Sequence, residues 1–148
     1  MESNGTTFST GWCTFQVVDD MLVRVDLGEV VPSQEDFNAV LLGTLQTVLD
    51  SDKPFALYVN ASRIKQAPMS CSLDIVQFMK NNKSKFREFC RASAIVVKSE
   101  FVTGILKFAF KLSPPVSPNV VTVNTDAAMD FVYAYMEGTA PPAVESVV

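Results

Sequence analysis

Along this chain the apolar positions switch between a two-residue and a 3.6-residue period, which separates strands from helices. Phe15 to Val18 and Met21 to Leu27 are apolar runs around Asp19-Asp20, and the second sets Met21, Val23, Val25 and Leu27 against Leu22, Arg24 and Asp26. This pattern predicts a β-hairpin. Gly28 ends it, and Ser33, Gln34, Glu35 and Asp36 then supply a capping hydroxyl and two acids for the positive end of a helix. Phe37, Val40, Leu41, Thr44, Leu45, Val48 and Leu49 continue from there as one stripe at helical spacing.

The run Phe55 to Val59 has no polar alternation, as expected of a strand covered on both faces. A polar loop from Asn60 to Ser72 separates it from a helix with Leu73, Val76, Phe78 and Met79, which ends around Lys83 to Phe86. The alternation repeats with a strand at Ala92 to Lys98, a helix at Glu100 to Leu112, a proline-rich turn and a strand at Asn119 to Asn124. A last helix spans Asp126 to Glu137, with Thr125 as its cap and Gly138 as its stop. Helical crossovers call for parallel strands, so the order reads β-β-α-β-α-β-α-β-α. The expectation is an α/β single domain over residues 12–137, with four helices and a mostly parallel sheet carrying an antiparallel N-terminal strand. Residues 1–10 and the GTAPPAVESVV tail, 138–148, read as flexible ends.

Composition narrows the chemistry. With 148 residues, 48% of them apolar, one core is the default. No apolar run approaches the ~20 residues of a membrane span, and the start MESNGTTFSTGW has no signal-like core, so a cytoplasmic protein is expected. Cys13, Cys71 and Cys90 are too far apart for a close-paired metal motif and odd in number, which predicts free buried thiols. The absence of histidine excludes histidine triads and zinc hydrolases. No G-x-S-x-G elbow, G-x-G-x-x-G loop or G-x-x-x-x-G-K loop occurs. No catalytic residue, metal site or cofactor is expected, and the chain reads as non-enzymatic.

Charge is segregated despite a net value of −4. Between Arg63 and Lys111 ten cations face three anions, so the acidic excess lies in the flanks. Lys80, Lys83, Lys85 and Arg87 suit either a helix C-terminus or an anionic partner. The overall acidity, and the use of Phe86 and Phe89 as core residues, argue against nucleic acid as that partner. At the C-terminal edge of a parallel sheet, Ser33, Asn60, Ser62, Ser70, Ser72, Ser99 and Thr125 gather with Arg63, Lys65 and Lys98. That rim suits an anion or protein partner, with simple helix capping as the alternative for each hydroxyl. Phe101, Ile105, Phe108 and Leu112 give the third helix more apolar surface than one face holds. Either a neighbouring helix or the tail covers the surplus, or it forms an interface such as a homodimer.

In element order the chain resembles the STAS family, the domain of anti-sigma-factor antagonists and of the cytoplasmic ends of sulfate transporters, over Phe15 to Glu137. It is also similar to STAS-like or CRAL-TRIO-like bacterial proteins, through the strand Ala94-Ile95-Val96-Val97 that follows an apolar strand, a loop and a helix. In anti-sigma antagonists the central strand ends in Asp-Leu-Ser, and Asp-Ser-Ser-Gly opens the next helix at the phosphorylated serine. Asn60-Ala61-Ser62 stands in the first place and Met69-Ser70-Cys71-Ser72 in the second, without either aspartate and without the glycine. The resemblance implies a regulatory or scaffolding domain that binds a protein partner through Asn60, Ser62, Arg63, Lys65, Ser70 and Ser72, with Ser70 nearest a phosphorylation site. The CRAL-TRIO side of it implies instead a module for a small, lipid-type apolar ligand, with a pocket bordered by the helix from Phe101 to Leu112.

Overall fold

The computed structural model describes residues 7–148; residues 1–6 of the expected flexible start lie outside them. Six strands form one sheet in strictly sequential order. They are β1 (Thr7–Ser9), β2 (Cys13–Val18), β3 (Leu22–Leu27), β4 (Phe55–Asn60), β5 (Cys90–Val96) and β6 (Asn119–Thr122). The β1–β2 and β2–β3 pairs are antiparallel, and β3 to β6 are parallel, as the alternation of strands and helices requires. The hairpin turn places Asp19 and Asp20 at φ 55° and 58°, the left-handed pair whose twist matches the flanking strands. Thr7–Ser9, read from sequence as part of a flexible end, instead adds a strand to the hairpin.

Among the described residues five helices accompany the sheet rather than four. The first, α1 (34–50), opens on Ser33, whose hydroxyl accepts from the Asp36 amide at 3.0 Å. Its middle, Phe37–Leu42, is a π-helical segment, and Gly43–Asp50 resumes the α form. The buried residues Phe37, Leu41, Leu45 and Leu49 are each four apart. In a regular helix that spacing drifts about 40° per step around the axis. The wider turn takes up part of the drift and keeps all four toward the sheet.

The second predicted helix is divided at Asn82 into α2 (Cys71–Asn81) and α3 (Lys83–Phe89). Asn82 leaves helical geometry at φ −115°, and its side-chain amide donates to the Phe78 carbonyl at 2.9 Å, so the terminal turn of α2 is closed by a side chain. The last two helices are α4 (Glu100–Leu112) and α5 (Thr125–Glu137). Thr125 is the first residue of α5, not its cap: Asn124 Oδ1 accepts from the Ala127 amide at 2.9 Å. Gly138 stops α5 at φ 73°, a left-handed value that favours glycine.

Each parallel connection advances by one strand in the same direction. A right-handed crossover then puts every intervening helix on one face. Accordingly α1 and α4 contribute Leu41, Leu45, Val102 and Leu106 to one core with Val25, Leu57, Val59 and Val121. Only α5 covers the reverse face, where Ala128, Phe131 and Val132 meet Ala56, Tyr58, Ala94 and Val120. The tail has no regular structure but is docked, not loose: the Val147 amide donates to Val121 O at 2.7 Å, and the Val121 amide donates to Ser146 Oγ at 3.2 Å. It thereby occupies the outer edge of β6, while Val144 and Val147 are half-buried against the two cores. No described helix is long and apolar enough to cross a membrane.

Candidate functional site

The 60–72 loop is tightly wired to its own surroundings. Asn60 Oδ1 accepts from both the amide and the hydroxyl of Ser62, at 3.0 and 2.6 Å, which turns the chain as β4 ends. The Lys65 and Gln66 amides donate to Glu29 O, and Val31 donates back to Gln66 O, so the loop is fastened to the β3–α1 connection. The Ser70 hydroxyl donates to Gln34 Oε1 at 3.0 Å, and Gln34 Nε2 donates to Asp74 at 2.9 Å. Ser70 therefore bridges α2 to α1 and makes no side-chain cap to its own helix. Ser72 is 7% exposed and donates to Met69 O at 2.8 Å, which removes it from the surface.

The predicted anionic rim divides accordingly. Ser62, Arg63 and Lys65 join Lys98 and Ser99 around an open cleft, where Glu29 lies 3.5 Å from Lys65 and offsets part of the positive charge. Ser99 Oγ accepts from the Phe101 and Val102 amides and so serves α4 itself. Ser33, Ser70, Ser72 and Thr125 lie outside this cleft. Open α/β sheets form a ligand crevice where the strand order reverses and helices pass to opposite faces. The sequential order here contains no such reversal, and the edge cleft, about 260 Å³, is open to solvent rather than enclosed.

A more enclosed, apolar space lies beneath the helices. A cavity of about 180 Å³ lies between the sheet and α1, α2 and α4. Leu41, Leu45, Leu57, Val59, Ile105 and Leu106 wall it, and α4 borders it along Val102 to Phe110. Ser93 and Ile95 lie within an interior strand yet are not fully buried, because they face this space. Its upper end, at Ala61, Ile64 and Cys71, is closed by buried residues. The only exposed lining residues are Lys83 and Pro114, at the opposite edge where β4 to β6 begin. The mouth is therefore remote from the 60–72 loop. Half of the π-helical segment also lines the cavity, through Phe37, Leu41 and Leu42.

Ile105, grouped by spacing with Phe101 and Phe108 as an interface residue, is 6% exposed and faces the cavity. Phe101 and Phe108 remain on the surface together with Leu112. All three cysteines are free and buried. Burial, reinforced by Asp74, pushes the Cys71 thiol up to about 11, so it is a neutral wall residue at pH 7, not a nucleophile. Sequence reasoning missed Lys83, Ser93 and Ser117 as lining residues. Ser93 carries a faint signal, a hydroxyl inside the otherwise apolar ASAIVV strand.

No protein-family model and no curated protein sequence matches the chain. Among solved structures it is similar to an uncharacterised protein of the DUF3478 family from Shewanella loihica, described as having a SpoIIAA-like fold. The TM-score is 0.54 at 13% sequence identity, over 89% of this chain and 98% of the other. That likeness establishes the fold, and the STAS-like architecture expected from the element order is the one observed.

Proposed function

We propose that this SpoIIAA-like fold serves as a non-catalytic binding module that holds a small apolar ligand between its sheet and its helical layer. The observation that carries the reading is the 180 Å³ space at the centre of the larger core, with an almost wholly aliphatic and aromatic lining. An apolar cavity of ~150 Å³ stays dry and takes up a molecule the size of benzene. Filling such a space restores contacts that an empty cavity forgoes, and binding stabilises the folded state by mass action.

The test combines native mass spectrometry of the purified protein with thermal unfolding in the presence of 1-octanol. A raised Tm with 1-octanol, suppressed in Ile95→Phe, is the expected result, because the larger ring occupies the ligand's place. If 1-octanol leaves Tm unchanged and no small molecule accompanies the native protein, the reading fails.

A regulatory reading, in which the 60–72 loop contacts a protein partner, draws on a separate observation. Met69 and Leu73 are 65% and 58% exposed on either side of Ser70, and Ser70 is tied to the helix that roofs the cavity. Ligand occupancy and partner binding would then communicate through α1. Pull-downs with Met69→Asp and Leu73→Asp test this: a partner profile identical to that of the unaltered protein counts against it. A homodimer through Phe101 and Phe108 is the corresponding proposal for the exposed side of α4.

A further inference from the structure

We infer that the ligand of this cavity is an amphiphile whose anionic head rests at Lys83, a carboxylate on a short aliphatic chain; this deepens the apolar-ligand reading and rests on it. The lining is polarised along its length. Toward the closed end it is made of Val31, Phe37, Val59, Ala61 and Ile64, with no charged group. Toward the mouth it contains Ser93, Ser113 and Ser117 together with Lys83, its only charged residue.

The backbone brings those four to the same end. The Ser93 amide donates to Pro118 O at 2.9 Å, which holds the middle of β5 beside the end of the 113–118 turn, where β6 begins. Lys83 begins α3, the short helix that leads directly into β5. Among the described residues no carboxylate lies within salt-bridge distance of Lys83, whereas its neighbour Lys85 is engaged by Asp50 at 2.8 Å. Lys83 is also exposed, so its ammonium stays hydrated and meets a head group at the rim without the cost of burying a charge. Pro114 and Pro115 stiffen the facing lip, and Phe86 supplies an apolar edge between rim and interior.

Size sets the chain length. A cavity of ~150 Å³ accommodates benzene, so 180 Å³ suits an aliphatic chain of roughly six to eight carbons. A long membrane lipid would leave most of its length in water. The head is an anion rather than a neutral polar group because the Lys83 ammonium adds charge attraction to the hydrogen bonds it donates.

The test compares octanoate with 1-octanol, which share a chain and differ in head charge, by calorimetric titration of the intact protein. Octanoate is expected to bind about threefold to fivefold more tightly at low ionic strength, the advantage of a solvent-exposed ion pair. Lys83→Gln should abolish that preference and leave 1-octanol binding unchanged, while Lys83→Arg should retain it. Equal affinities for the two probes in all three proteins would overturn the head-group assignment and leave the apolar-ligand reading standing. Failure of both probes to bind the unaltered protein would overturn the two together.

Discussion

Gln46 and Asn82 exchange a pair of amide hydrogen bonds, Nε2 to Oδ1 at 2.8 Å and Nδ2 to Oε1 at 2.9 Å, across 36 residues of chain. Asn82 is 5% exposed and sits where α2 gives way to α3. The pair therefore fixes the far end of α1 against the same helical break that carries Lys83. Asn82→Leu keeps the branched shape but removes both bonds to Gln46 and the side-chain bond to the Phe78 carbonyl, leaving Gln46 Oε1 without its donor. Loss of such partly buried bonds costs about 1–3 kcal/mol, and urea unfolding should show a lower midpoint with an unchanged slope. An unchanged midpoint would mean that water replaces the pair without loss.

At the other end of α1 the hold is lighter, since Ser70, Gln34 and Asp74 are linked near solvent. Ser70→Asp removes the hydroxyl donor and adds a carboxylate one helical turn from Asp74, a like-charge arrangement. The expected effect is a small stability loss, about 0.5–1.5 kcal/mol, with faster amide hydrogen exchange confined to residues 34–37. Exchange that stays at the wild-type rate there would refute the coupling between Ser70 and α1.

The cysteines set an alkaline limit. Burial is the leading cause that raises Cys13 to about 12 and Cys71 and Cys90 to about 11, from 9.0 for a free thiol. A group whose folded value is raised contributes stability that is intact below its unfolded value and is lost as pH rises toward the folded one. Stability should thus decline between about pH 9 and pH 11, because the unfolded chain ionises first. Replacing Cys71 by Ala should flatten that decline in urea titrations at pH 8, 9 and 10, and an equally steep decline would remove Cys71 from the account.

The two sides of α4 should respond differently to charge. Phe108 is 46% exposed and Ile105 6%. Phe108→Glu should alter stability by no more than about 0.5 kcal/mol, and any concentration-dependent mass in sedimentation should vanish with it. Ile105→Glu places a carboxylate against the apolar cavity wall and should lower Tm by many degrees. A stable Ile105→Glu protein would mean that α4 turns in solution.

What could be read from the chain was local. The hairpin, β4, the Ser33 cap and the Gly138 stop each depend on neighbours a few residues away, and each stands where pattern reasoning puts it. The features that escaped depend on distant partners. Thr7–Ser9 becomes a strand only because β2 offers an edge, and Val147 is held only because β6 offers another. Asn82 reads as a polar residue within a helix until Gln46 is brought beside it. The cavity went unread for a topological reason. A parallel sheet suggests its C-terminal edge, but the sequential order puts three crossovers on one face and leaves the room under them, opening at the other end.

The π-helical segment at Phe37–Leu42 bears on kinship. A π turn accommodates a surplus residue within an otherwise regular helix. A protein that shared this architecture but wound the same helix regularly would be one residue shorter between Ser33 and Asp50. The difference would register as a gap, not as a run of substitutions. An ungapped comparison would pair Leu45 and Leu49 with surface positions of the other chain, and an inherited core would look like coincidence.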